Sequence, residues 1–442
     1  MRMRHIRCIA LCFFTLALAA CGGKSAPLPG AYSGPPAMDV LTLPQNLTAY
    51  SAAAGGSKAL VSMQSQIAAA ERQKDAFFRP WRLDKPGRWI KQSLDKNFNM
   101  RPEKAYTDGK KPFPADAWEA MVANSNKSAW GKGAGPGITL RHSNLRAMPT
   151  SMHYYLRPDL PGEGYPFDYF QHTSVSPGTP VYICSVSKDG LWLLVDGPAT
   201  AGWLPARDVA RVDAAFITRW QAQPLAALTR DKVAMGEGYA HLGTLLPLGE
   251  NGGLYYPQSG PSGHADIREV ALASDAFTPI PLPLSADNVA RVGAGLMGQA
   301  YGWGGLDEKR DCSALTRDLL APFGLYLPRN SSNQAKRGRV FSLSGLSNQA
   351  KHALIVQNAA PFRSLVWMKG HIGLYLGEYE GKAVMLHSMW GLRTKDRAGG
   401  CDNRAVVGKT VITTLQPGIE RPDLCNPGSF LDRIEAVALL FE

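Results

Sequence analysis

Cys312 lies in the segment Asp311-Cys312-Ser313-Ala314-Leu315, and two histidines follow it in apolar surroundings. The first opens His371-Ile372-Gly373-Leu374-Tyr375-Leu376-Gly377, and the second sits in Ala383-Val384-Met385-Leu386-His387-Ser388. A thiol, an imidazole to take its proton and a further group to orient that imidazole make up the set needed for covalent acyl transfer. Asp311 is a good N-cap, and Leu315 and Leu319 follow Cys312 at helical spacing until Pro322 and Gly324 end the run. The pattern predicts a helix with Cys312 in its first turn. The free N–H groups and the dipole at that end are expected to favour the thiolate and lower its pKa.

The two histidine segments read as strands joined across Glu378-Tyr379-Glu380. An odd number of loop residues pairs His371 directly with His387, with Cβ atoms about 5 Å apart on one face. An even loop would place the imidazoles on opposite faces. Glycines at both ends, Gly377 and Gly381, fit a hairpin with an αL bulge.

These elements need a scaffold. The chain has 442 residues, 45% hydrophobic and 19% charged, with Gly 45 and Pro 32. That is enough for several cores, rules out wholesale disorder and favours turns and short strands. Arg2, Arg4 and Arg7 precede an apolar run from Cys8 to Ala20 that is too short to span a bilayer, so residues 1–20 read as a signal peptide. The end of that run, Leu18-Ala19-Ala20-Cys21-Gly22, looks like a bacterial lipobox with Cys21 as the acylated residue. More than one acyl chain there gives stable anchoring, and Gly22 favours the outer membrane in a Gram-negative host. Removing the leader takes three arginines and no acid from a net +12, leaving +9. An exported basic chain without a Lys/Arg run suits an anionic envelope polymer and not nucleic acid. Cys401 and Cys425 can pair in an oxidising compartment, while Cys184 reads as a buried strand residue.

Residues 21–50 are rich in Pro, Gly, Ser and Ala and read as a tether. Residues 51–137 form an N-terminal clip without chemistry of its own, including a helix between Ser57 and Phe78 with Leu60, Met63, Ile67 and Ala70 on its packed face. Residues 138–213 carry short β runs, a Ser187-Lys188-Asp189-Gly190 turn, and the pieces Gly178-Thr179-Pro180-Val181, Asp189-Gly190-Leu191-Trp192 and Gly202-Trp203-Leu204. These resemble a bacterial Src-homology-3-like barrel, and residues 214–280 repeat the grammar as a second barrel. Pro281-Leu282-Pro283-Leu284 is a linker to a helix opened by Ser285 or Asn288, with Val289, Val292 and Leu296 on one face. The last domain is 281–442.

Tyr301-Gly302-Trp303-Gly304-Gly305, then Asp311-Cys312-Ser313, then His371-x-Gly373-x-Tyr375-x-Gly377 and a further His387, resemble in order the NlpC family of cell-wall peptidases. The match runs from about Ser285 to Glu442. With the barrels and the lipobox the whole is similar to the multidomain γ-D-glutamyl-L-diamino-acid endopeptidases of that family. The fold this implies is a multidomain α+β chain: an N-terminal helical clip region, two small Src-homology-3-like β-barrels and a C-terminal papain-like α+β peptidase domain. The resemblance implies Cys312 as nucleophile, His371 as general base and His387 as its orienting partner, with Tyr301, Asp311 and Ser313 along the substrate site. It implies no metal and no cofactor, peptidoglycan stem peptides as substrate, an exported monomer anchored to a membrane through Cys21, and a periplasmic location. Family members of this architecture cut stem peptides with a free N-terminal L-alanine, and Glu163 or Asp168 on the long barrel loop is a candidate to meet that amine. The family usually has Gly where Ala314 stands. Leu327-Pro328-Arg329-Asn330-Ser331 and Gln334 also match, without an assigned role.

Three other readings remain: a papain-like amidase or acyltransferase acting on intact wall, a non-catalytic wall-binding lipoprotein, and a zinc site built from Cys312, His371 and His387.

Overall fold

The computed structural model describes residues 36–441 apart from Pro161, Glu237, Pro261, Ser262 and Arg397, and all side chains among them except those of Arg88 and Trp89. The expected signal peptide and Cys21 lie outside the described residues. Among those residues no helix is long and apolar enough to cross a membrane.

The C-terminal domain is a six-stranded antiparallel sheet in the order Arg339–Ser342, Ile434–Leu439, Ser364–Met368, His371–Tyr379, Lys382–Thr394, Asn403–Thr414. The helix Cys312–Leu320 packs against it, with Leu315 and Leu319 fully buried on Leu374, Leu386 and Ile412. Ser285 caps the helix Ala286–Gly293 by accepting from the Asn288 N–H, and Val289, Val292 and Leu296 are buried.

The first barrel is a seven-stranded sheet running from Gly135–Thr139 to Val209–Arg211. Ser187 to Leu191 turn the chain between the strands Pro180–Val186 and Trp192–Asp196, and Cys184 is buried in the first of these. The second β domain begins with the helix Ala214–Ala222 and holds three small sheets around Leu225–Leu228.

The N-terminal helix spans Met63–Phe78, and its packed face differs from the one the apolar pattern indicates. Met63 and Ile67 are exposed, while Gln66, Ala69, Ala70, Gln73 and Phe77 are buried. The reason is hydrogen bonding. The Gln66 amide donates to the Leu282 carbonyl at 2.8 Å and accepts from the Leu284 N–H at 2.9 Å, and Gln73 donates to the Ala321 carbonyl at 3.1 Å. Gln66 thus satisfies two backbone groups of the linker, and Gln73 adds a bond to a carbonyl that also accepts from the Gly324 N–H.

Candidate active site

Asp311 caps the nucleophile helix through Oδ1, which accepts from the Ala314 N–H at 2.9 Å, and so fixes Cys312 as the first helical residue. The thiol is 7% exposed and lines a cavity of about 650 Å³. Cys401 and Cys425 form a disulfide, and Cys312 is free.

The hairpin that positions the histidines departs from the expected register. Tyr379 pairs with Lys382, so the turn is Glu380-Gly381, with φ values of 50° and 73° that suit a tight I′ turn. An even turn alone would put His371 and His387 on opposite faces. A bulge at Leu376 corrects this: Gly377 pairs with Val384 but Tyr375 with Met385, which shifts the parity of everything before it. His387 then lies against Gly373, diagonal to His371 and on its face. A Cβ at residue 373 would stand 3.2 Å from the His387 Cβ, so the glycine of the His-x-Gly motif clears room for the second imidazole.

The rings are joined by a directional chain. Thr413 Oγ1 donates to the Thr414 carbonyl at 2.7 Å, and with its single proton used there it accepts from His387 Nε2 at 3.0 Å. Nδ1 of His387 is then unprotonated and accepts from His371 Nε2 at 2.7 Å. The bare, basic nitrogen of His371 is therefore Nδ1. Since the two rings bond to each other through facing nitrogens, they do not converge with Cys312 on a common metal position. Phe430 packs on both rings, at 5.2 and 5.6 Å between centroids.

Burial holds His371 down at about 4 and His387 well below the usual imidazole range. The Cys312 thiol is pushed up to about 12, chiefly by burial and then by Asp311, although the Ile372 and Ser313 N–H groups act the other way. This overturns the expectation of a lowered thiol pKa: at the first helical turn desolvation outweighs the dipole. At rest the Cys312 thiol and the His371 imidazole are both neutral.

Tyr301, Asp311 and Ser313 all line the cavity. Burial works to raise the Asp311 pKa, but Arg329 more than offsets it and holds the carboxyl below the usual range. Arg329 grips Asp311 in a fork, at 3.1 and 2.6 Å, and reaches Ser313 Oγ at 2.8 Å and Thr173 Oγ1 of the first barrel at 2.7 Å. Gln334 donates to the Ser313 and Pro328 carbonyls and accepts from Thr316. The run from Leu327 to Gln334 thus braces the start of the nucleophile helix.

Asp168 does not face the cleft. It is fully buried in the barrel, paired to Arg146 at 2.6 Å and accepting from the Tyr154 and Phe170 N–H groups. Fully buried and absent from the cavity wall, it is out of reach of an amine in the cleft. Glu163 is absent from the cavity wall and acts instead on the neighbouring Arg404. The barrel reaches the cavity through Tyr169, Gln171, His172 and Thr200, and the N-terminal region, read as free of chemistry, contributes Ser93 and Lys96. Lys96 and Thr413 carry no sequence signal; the motif match around Arg329 was visible, its role was not.

Fold and site together define a papain-like cysteine peptidase domain joined to Src-homology-3-like β domains and an N-terminal helical region. Residues 298–401 match the NlpC/P60 family, 154–205 an SH3 domain of the SH3b1 type, and 10–130 the N-terminal NLPC_P60 stabilising domain. Among solved structures, an NlpC/P60 endopeptidase from Photobacterium damselae subsp. piscicida is similar at TM-score 0.83 and 27% identity, over 90% of this chain and 98% of that one. An NlpC/P60 family protein from Bacillus cereus ATCC 10987 gives TM-score 0.42 and 17% identity over 70% of this chain and 100% of that one. No curated protein matches the chain. The chain thus carries a domain of the NlpC/P60 family of cysteine peptidases, which are cell-wall hydrolases.

Proposed function

We propose that the protein hydrolyses the bond between γ-D-glutamate and the L-diamino acid of peptidoglycan stem peptides, with preference for a free N-terminal L-alanine. The observation that carries this reading is the walling of the Cys312 cavity by three parts of the chain, which favours a short peptide end over intact cross-linked wall. Nδ1 of His371 takes the Cys312 proton as the thiol sulfur attacks the γ-carbonyl. The N–H groups at the start of the helix hold the oxyanion, an effect worth roughly 3 kcal/mol per donor. The imidazolium returns its proton to the departing amine, and water then releases the thioester. Tyr301 and Ser313 on the cavity wall would meet the peptide beside Cys312, while Asp311 stays engaged by Arg329 and the helix start. The proposal includes export and acyl anchoring at Cys21, with action as a monomer in the periplasm.

The test is incubation of the soluble mature chain with L-Ala-γ-D-Glu-diaminopimelate and with its N-acetylated form. Cleavage of the free-amine peptide alone is expected. Equal cleavage removes the preference, and no cleavage of either removes the bond assignment. Cys312→Ala should stay folded without turnover.

A further inference from the structure

We propose that Arg393, Arg404 and Arg433 form a carboxylate-binding wall on the histidine side of the cleft, which holds the diamino acid half of the substrate through its carboxylates. The inference rests on the functional reading above.

Arg393 and Arg404 stand directly opposite each other in the ladder between Lys382–Thr394 and Asn403–Thr414. Like charges in that position destabilise a sheet. Arg433 comes from the short helix Phe430–Arg433, whose Phe430 packs on both imidazoles. Each guanidinium gives one bond to a backbone carbonyl: Arg393 to Cys401 at 3.2 Å, Arg404 to Asn403 at 2.8 Å and Arg433 to Lys369 at 3.3 Å. Among the described residues none of the three has a carboxylate within ion-pair distance; Asp402, Glu163 and Glu435 act only from further away. Burial and then the Arg393 charge lower both Arg404 and Arg433 from their ordinary pKa values. Three arginine forks are therefore gathered against their mutual repulsion, with most donors open. A planar, bidentate anion is what such a cluster fits.

The cluster borders the reacting groups. Arg433 holds the carbonyl of Lys369, and the next residue, Gly370, lines the cavity just before His371. Trp390, three residues before Arg393, packs on Tyr301 of the cavity wall and on Phe167 of the barrel, at 5.9 and 5.5 Å between centroids. Gly162, on the barrel loop, lies over Arg404. The Cys401–Cys425 disulfide and the bond from the Cys425 N–H to the Arg393 carbonyl at 3.2 Å hold this end of the hairpin. Because the departing amine takes its proton from His371, the diamino acid passes on this side. Its α-carboxylate, when it ends the peptide, and the second carboxylate of diaminopimelate are the anions within its reach.

The test titrates the full-length Cys312→Ala protein with L-Ala-γ-D-Glu-diaminopimelate and with the same peptide amidated at both diaminopimelate carboxylates. Loss of charge-assisted hydrogen bonds should weaken binding of the amidated peptide by roughly 10- to 100-fold. Arg393→Gln, Arg404→Gln and Arg433→Gln, each added to Cys312→Ala, should narrow that gap, while Arg230→Gln on the second β domain should leave it unchanged. Equal affinities for the two peptides, or a gap that none of the three substitutions narrows, overturns the wall. Turnover by the unmutated enzyme reports separately on the bond assignment: a gap that persists without any cleavage supports the wall and sinks the hydrolysis.

Discussion

At the level of single residues, the balance at Cys312 makes a kinetic statement. Burial raises the thiol to about 12 and lowers His371 to about 4, so the proposed catalytic pair is neutral over a wide range. The base must be unprotonated, and its depressed pKa moves the acid limb of kcat/KM from the ordinary imidazole region down toward 4. A limb near neutrality in a pH–rate profile would instead report a preformed thiolate–imidazolium pair and overturn this account. Thr413 sets which nitrogen is basic, so Thr413→Val should release the tautomer and lower kcat roughly 10- to 100-fold, as the loss of a partner orienting a histidine commonly does. Thr413→Ser should retain activity, and the two variants should differ in the 15N shifts of His371. Cys312, His371 and His387 stand out in the sequence as candidates because few residue types do this chemistry. Thr413 does not, since a threonine in a strand is the commonest of sights and only the direction of its hydroxyl proton gives it a role.

At the level of elements, the helix that carries Cys312 was readable from its cap and apolar spacing, but the hairpin was not readable from its loop. Parity is fixed by turn and bulge together, and no side-chain pattern separates the Leu376 bulge from regular strand. The N-terminal helix was misread for another reason: its buried glutamines serve backbone groups more than two hundred residues away, and periodicity sees only apolar side chains. The Tyr-x-Trp-Gly-Gly motif gains a physical meaning from docking. Gly304 and Gly305 have φ of 63° and 83°, and a Cβ on either would collide with Gln171 or Ser174 on the first barrel. Gly304→Ala should force the barrel away from the cavity and destabilise the docked state by roughly 1–3 kcal/mol, the usual cost of overpacking and a strained φ. The measurement is faster limited proteolysis between the domains with reduced kcat/KM; unchanged cleavage and rate would separate docking from activity.

Across the whole molecule, the second β domain is tied to the nucleophile by one buried ion network. Arg310, next to the Asp311 cap, meets Asp231 of that domain in a fork at 3.0 and 2.8 Å, and its Nε meets Asp318 of the nucleophile helix at 2.8 Å. Its carbonyl accepts from the Gly302 N–H at 3.1 Å and from Ser388 Oγ at 2.9 Å, so the same residue ties the glycine-rich motif to the histidine hairpin. His241 of the second domain lies beside Asp231 and packs on His142 of the first barrel at 4.7 Å between centroids. Burial, then His241, lowers His142 to about 3, so with His371 it must take up protons on unfolding. The folded values lie below the unfolded 6.5; stability is therefore complete above that pH and falls as the pH drops toward 4, visible as a declining urea midpoint. Asp231→Asn tests the junction more sharply. It leaves the Arg310 guanidinium buried with Asp318 as its remaining carboxylate partner, and removing one member of a buried pair costs about 3–5 kcal/mol. The expected outcome is a lower urea midpoint together with a lower kcat, because the cap residue loses its anchored neighbour. A variant with the midpoint of the unmutated protein would show that the second domain rides on the peptidase without supporting its nucleophile.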